Sequence, residues 1–211
     1  MCWPPRTNPN RSASPTLATI ARACAFFVTL AALAGAPQEG LAAPADGVGV
    51  GLLVASPALL DPSLGSGIQA SWAPTVLLRR GGLRVDVGGV LAWLGASEDT
   101  LGWQVDHDEL RAAATLEGRW RRGRGALLMQ LGVGGTLVWE GRERHQSRRL
   151  AGGPLTTSGS ALLGQGSAQL GAQVRLVREL WLALRVGPTL HLGAGGGAGY
   201  GGVLEVRWLA D

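Results

Sequence analysis

Residues 83–93 read LRVDVGGVLAW, and Leu83, Val85, Val87, Gly89, Leu91 and Trp93 set an uncharged rhythm at every second position. Between them stand Arg84, Asp86, Gly88, Val90 and Ala92. A period of two marks an extended strand whose faces meet unlike surroundings, because successive side chains point to opposite sides. A slip of one residue would exchange the two faces, so the pattern also says which face is which.

The same rhythm recurs along the chain. Leu110, Ala112, Ala114, Leu116, Gly118 and Trp120 alternate with Arg111, Ala113, Thr115, Glu117 and Arg119. In residues 127–140, Leu127, Met129, Leu131, Val133, Leu137 and Trp139 oppose Gln130, Thr136 and Glu140. Residues 167–176, 180–192 and 204–208 repeat the pattern, with Gln173 and Arg175, then Arg185, Thr189 and His191, then Glu205 and Arg207 on their polar faces. Two earlier segments, 48–56 and 68–79, complete a set of eight. The apolar face carries no charge in any of them. Lipid accounts for that one-sidedness, since an arginine facing the bilayer midplane costs about 2–4 kcal/mol. A few such errors would outweigh the stability of a typical domain.

The connections between segments alternate in length. Those at 80–82, 121–125 and 177–179 are short, whereas 57–67, 94–108, 141–160 and 193–199 are longer. Transmembrane barrels alternate short periplasmic turns with longer outer loops, so both termini are expected in the periplasm. In that orientation Trp93 and Trp139 fall at outer strand ends with Trp72 toward the same side, and Trp120 and Trp208 fall at inner ends. These five form two expected aromatic girdles at the membrane interfaces. Trp181 is out of phase and is expected to point inward. Pro74 and Pro188 lack an amide proton inside strand segments, which predicts a bulge or a shortened strand at each.

The N-terminus reads as an address. Arg6, Arg11 and Arg22 precede the apolar run 23–35, which is too short to span a bilayer and is followed by Ala43-Pro44-Ala45. A cleavable signal peptide is expected over 1–45, with a helical apolar core at 23–35 and the barrel domain over 46–211. Without that segment 16 arginines face 14 acids, so the general basicity that suggests nucleic-acid binding disappears. Both cysteines, Cys2 and Cys24, also fall within it, leaving no thiol chemistry in the expected mature chain.

Taken together, the expected fold is all-β: an eight-stranded antiparallel up-and-down transmembrane β-barrel preceded by a signal peptide. Over its mature length the chain resembles the small eight-stranded outer-membrane barrels, such as the transmembrane domain of the outer membrane protein A family. The closing stretch YGGVLEVRWLAD, residues 200–211, looks like the assembly signal that ends such barrels. The resemblance implies residence in the outer membrane among its lipids, insertion by the barrel assembly machinery, and a monomer. It implies no nucleic-acid partner and no cofactor.

Eight strands enclose a space that side chains fill, so a wide channel is not expected. The expected lumen charge network comprises Arg84, Asp86, Arg111, Glu117, Arg119, Glu140, Arg175, Arg185, Glu205 and Arg207, with Arg79 on the same inward face. Seven arginines against four acids would leave an excess of three positive charges, which leaves a narrow anion-selective pore as an alternative to a packed network. A soluble lipocalin-like barrel, with the apolar face inward, is a further alternative. The polar face, rich in small residues, suits a crowded interior better than a solvated exterior.

The loop GRERHQSRRL, 141–150, places Arg142, Arg144, Arg148 and Arg149 on the expected outer side, where guanidinium forks could hold lipopolysaccharide phosphates. A solvated charged loop is the simpler and favoured explanation. The same loop holds His145 and Ser147, whose His-x-Ser spacing is similar to that of the outer-membrane lipid A deacylases. Their Ser-Asn-Gly context is missing, so no catalytic residue is expected. Asp106-His107-Asp108-Glu109 offers metal-ligand types, but strand alternation would turn His107 away from both aspartates, and an exposed acidic loop is the expectation. Gly197, Gly199 and Gly202 match G-x-G-x-x-G in spacing only, because a strand rather than a helix follows.

Overall fold

The computed structural model describes residues 47–58, 64–100, 103–144, 156–193 and 195–209, so the expected signal peptide lies outside the described residues. Eight strands follow in order: β1 Val48–Ala55, β2 Gly65–Arg80, β3 Leu83–Thr100, β4 Trp103–Arg122, β5 Gly125–Arg144, β6 Thr156–Val177, β7 Leu180–Leu192 and β8 Ala198–Trp208. Each pairs antiparallel with its neighbours in the chain, and β8 returns to pair with β1. The sheet is a closed barrel of up-and-down topology. Closure removes the unpaired edge that an open sheet would leave.

The tight turns explain the pairing of successive strands. Arg80 pairs with Leu83 and Arg122 with Gly125, leaving two-residue turns that begin at Gly81 and Gly123. Their φ values of 59° and 63° lie in the left-handed region that two-residue hairpins require and glycine adopts without steric cost.

Polarity runs inside out. On β5, Leu127, Met129, Leu131 and Val133 are exposed on the barrel's outer surface, while Leu128 and Gln130 between them are buried. The same holds for Leu184 and Val186 against Ala183 and Arg185 on β7, and for Leu204 and Val206 against Val203 and Glu205 on β8. This arrangement overturns the lipocalin-like alternative, which required the apolar face inside. A soluble protein rarely exposes so continuous an apolar surface.

On the β3–β4 pair the register sets Leu83 opposite Trp120 and Trp93 opposite Leu110. The two tryptophans therefore stand ten residues apart along the ladder, close to the roughly 9–11 residues with which a tilted strand crosses hydrocarbon. Trp139 lies two rungs beyond, opposite Asp108. Trp208 pairs with Val48 and Leu180 at the turn end, and Trp181 is buried inside. Trp72 departs from its expected place. It pairs with Gly89 in mid-strand, where its ring covers the bare glycine rather than marking the outer boundary.

Strand lengths also depart from the sequence expectation. Residues 94–108 are largely strand rather than loop, because β3 continues to Thr100 and β4 starts at Trp103. Likewise β5 reaches Arg144 and β6 starts at Thr156. These extensions carry polar side chains on both faces, for example Asp106 and Asp108 outside and His107 inside, so no apolar alternation announces them. Pro74 sits in a register shift between Trp72 and Thr75, matching the expected bulge. Pro188 shows no bulge: the β6–β7 ladder omits its rung and that of Gly187, then resumes in the same register.

Apolar contacts inside the barrel are confined to patches. Leu53, Ala55, Ala92, Leu94 and Val203 form one cluster, with Val90 against it, and Ala58, Val138 and Leu163 form another toward the loop end. The rest of the interior is largely polar, with single apolar side chains such as Leu128, Trp181 and Ala183 set among the polar ones.

Candidate functional site

Strand alternation drives charged side chains of β3, β4, β7 and β8 toward one axis, where no bulk water is available to solvate them. A charge buried in this way must find a partner. Toward the turn end, Glu117 on β4 is the shared acceptor. Arg207 Nη1 of β8 donates to its Oε1 at 2.7 Å and Arg185 Nη1 of β7 to its Oε2 at 3.2 Å. Gln130 Nε2 of β5 lies 3.4 Å from Oε2, and Arg119 Nε lies 3.5 Å from Oε1. Arg185 also donates to Glu205, which accepts from the Ser71 hydroxyl of β2 as well. Asp86 of β3 accepts from Arg119 Nε at 3.0 Å and from Arg84 Nε at 2.7 Å. Asp86, Arg185 and Glu205 are wholly inaccessible to solvent.

The bond from Ser71 to Glu205 passes over β1, which separates their strands. It does so at Gly49, where an added Cβ would come within 1.9 Å of Glu205 Oε1 and 2.8 Å of Ser71 Oγ. The missing side chain thus makes room for the contact.

A second network occupies the loop end. Glu109 accepts from Arg111 Nε at 2.7 Å and lies 2.7 Å from His107 Nε2. It also accepts from the backbone amide of Ala58, and Arg111 Nη2 donates to the carbonyl of Ser56 at 3.0 Å. The segment leaving β1 is therefore tied across the lumen to β4. Thr136 donates to Gln165 at 2.9 Å and lies 3.4 Å from His191 Nδ1.

The structure gathers Asp86, Glu117, Arg119, Arg185, Glu205 and Arg207 into the first network and Arg111 into the second. Arg84 joins the first from the turn-end mouth. Glu140, half-buried toward the loop end, pairs instead with exposed Arg142. Arg175 lies at the turn-end rim, where it donates to the carbonyl of Arg178 and stands 5.8 Å from the Trp181 ring centroid. Arg79 is exposed rather than enclosed. Arg144 ends β5, and His145, Ser147, Arg148 and Arg149 lie outside the described residues.

Two members escaped the sequence reading. Glu109 and His107 were expected in an exposed acidic loop, yet both are buried in strand. The alternation that turned His107 from the aspartates also carries Glu109 inward with it. Among the described residues no cluster of three or more histidine, cysteine or acidic side chains could hold a metal. With Glu109 included, the buried charged side chains comprise four arginines and four carboxylates among the described residues, so the expected excess of positive charge is absent from the enclosed lumen.

No family model and no curated protein sequence matches the chain. Solved structures do. Neisserial surface protein A superposes with a TM-score of 0.52 at 12% sequence identity, covering 78% of this chain and 96% of that one. The attachment invasion locus protein Ail of Yersinia pestis, solved with the heparin analogue sucrose octasulfate, gives a TM-score of 0.48 at 12% identity over the same shares. The chain has the fold of the eight-stranded outer-membrane β-barrels.

Proposed function

We propose that this protein is an outer-membrane barrel that spans lipid with its apolar outer belt and works as a structural or surface-interaction scaffold through its loop-end extensions. The observation that carries the reading is the inversion of polarity: Glu117, Arg185, Glu205 and Arg207 are enclosed, whereas Leu131, Val133, Leu170 and Val186 are exposed on the outside. In water such a surface would drive association; in hydrocarbon it is the matching solvent. The tight turns would face the periplasm and the extended hairpins the exterior, as barrels of this kind arrange them. Arg142, with Arg144, Arg148 and Arg149, would be placed for lipopolysaccharide phosphates.

The charge-balanced lumen favours a closed interior over an anion-selective pore. In the enclosed middle of the lumen four arginines are matched by four carboxylates and joined by direct bonds, and the positive excess is confined to the turn-end mouth. The esterase alternative would rest on His145 and Ser147.

Membrane fractionation followed by unboiled and boiled gel migration tests the barrel reading. The expected result is a detergent-extracted band whose mobility changes on heating; recovery in the soluble periplasmic fraction would overturn it. Planar-bilayer recordings should show no steady conductance, and cells overproducing the protein should keep fully acylated lipid A.

A further inference from the structure

The turn end of the barrel holds a cavity of about 210 Å³ whose lining has a particular chemistry. Arg79, Arg84, Arg119 and Arg121 line it, and none of its described lining residues is a carboxylate. Asp86 lies behind the wall, engaged with Arg84 and Arg119. Around the mouth the turns add exposed Arg80, Arg122, Arg124 and Arg178 against Glu179. A concave site bordered by one sign of charge concentrates the opposite ion.

Two buried polar groups in the same wall are left without a hydrogen-bond partner among the described residues. Trp181 is 2% exposed and its indole N–H has no hydrogen-bond partner among the described residues. Gln173 is 5% exposed and its side-chain oxygen is likewise unpartnered. A buried indole usually finds an acceptor, and leaving such groups unsatisfied is costly. Arg121 stands 5.2 Å from the Trp181 ring centroid, so the cation lies beside the indole in the cavity wall.

We infer that this cavity binds a small oxyanion, a phosphate or carboxylate group, which Arg79 and Arg121 attract and the Trp181 indole N–H fixes by a hydrogen bond. A protonated phosphate oxygen or a neighbouring hydroxyl would satisfy Gln173 from the other side. The site depends on the barrel alone. The orientation given under Proposed function decides only that the periplasm, or the inner-leaflet headgroups, supply the anion.

The test uses ¹⁵N-labelled protein folded in uncharged maltoside micelles, with the Trp181 indole resonance assigned by Trp181→Phe. Inorganic phosphate or acetate, exchanged for chloride at constant ionic strength, should shift that resonance saturably and leave the other indoles in place. A second arm compares phosphatidylglycerol with phosphatidylcholine nanodiscs, so a headgroup source is told from a free one. The Arg79→Gln, Arg121→Gln double variant should weaken the response about tenfold or more, the scale of one lost charge-assisted bond. Silence of the Trp181 resonance in every arm, or an undiminished response in the double variant, would overturn the inference. Heat-dependent gel migration run on the same samples shows whether the barrel is intact, so a lost cavity is distinguished from a lost fold.

Discussion

The two charged networks of the lumen use similar side chains for different ends. The turn-end network joins side chains to side chains, drawing on six strands, with Glu117 accepting from two arginines and a glutamine and ion-paired with a third arginine. The loop-end network joins β4 to backbone, through the Ala58 amide and the Ser56 carbonyl. The first braces the wall of the barrel against itself. The second pins a connecting segment across the opening. Identical chemistry therefore sets global stability in one place and local order in the other.

The sharpest way to break that contrast is Glu117→Ala, which takes from Arg207 its hydrogen-bonded acceptor and leaves Arg185 with Glu205 alone in an enclosed space. Loss of one member of a buried ion pair costs about 3–5 kcal/mol. Urea unfolding of the lipid-refolded barrel should show a loss of that size; a neutral variant would refute the bracing role. Next in size is Leu131→Arg, beside the same network but on the outer face, since Leu131 pairs with Leu116. An arginine there should cost about 2–4 kcal/mol in lipid bilayers, although arginines a few ångströms away inside are tolerated. The same measurement in detergent against bilayer reports whether the belt meets hydrocarbon.

Glu109→Gln should cost less, about 1–3 kcal/mol, because the amide oxygen can still accept from Ala58. Its signature is local: faster amide exchange at Ala58 with the turn-end network unchanged. Glu109 and Glu117 stand eight residues apart on one strand, roughly 26 Å at 3.3 Å per residue, so their effects should add. A large coupling energy would mean one network rather than two. Arg142→Ala closes the series. Its pair with Glu140 is exposed, and unfolding should move by no more than about 0.5 kcal/mol.

How far these networks could be read from residues alone follows the lipid boundary. Within the belt, Arg111, Glu117, Arg185 and Glu205 alternate with apolar neighbours, so their inward direction is legible from period two. Beyond it, both faces are polar, the contrast fades, and Glu109 with His107 reads as loop. The partners were illegible throughout. Nothing in the local sequence of Glu117 tells that Arg207, ninety residues on, will reach it, because that depends on the register at which the ring closes. The unlike fates of Pro74 and Pro188 have the same origin, since a local sequence shows a missing donor but not whether the ladder will shift or merely skip a rung.

Gly49 gives that closure a mechanical meaning. β1 is the shortest strand, holding its neighbours by eight rungs on each side, against twenty between β4 and β5. It joins the two ends of the described chain, the pairing with the greatest loop entropy to overcome. Across it, the Ser71 hydroxyl and Glu205 meet over the bare backbone of Gly49 like a bolt drawn through a hasp. The cylinder is thus latched at its thinnest slat, by a clasp that the absence of one methyl group permits.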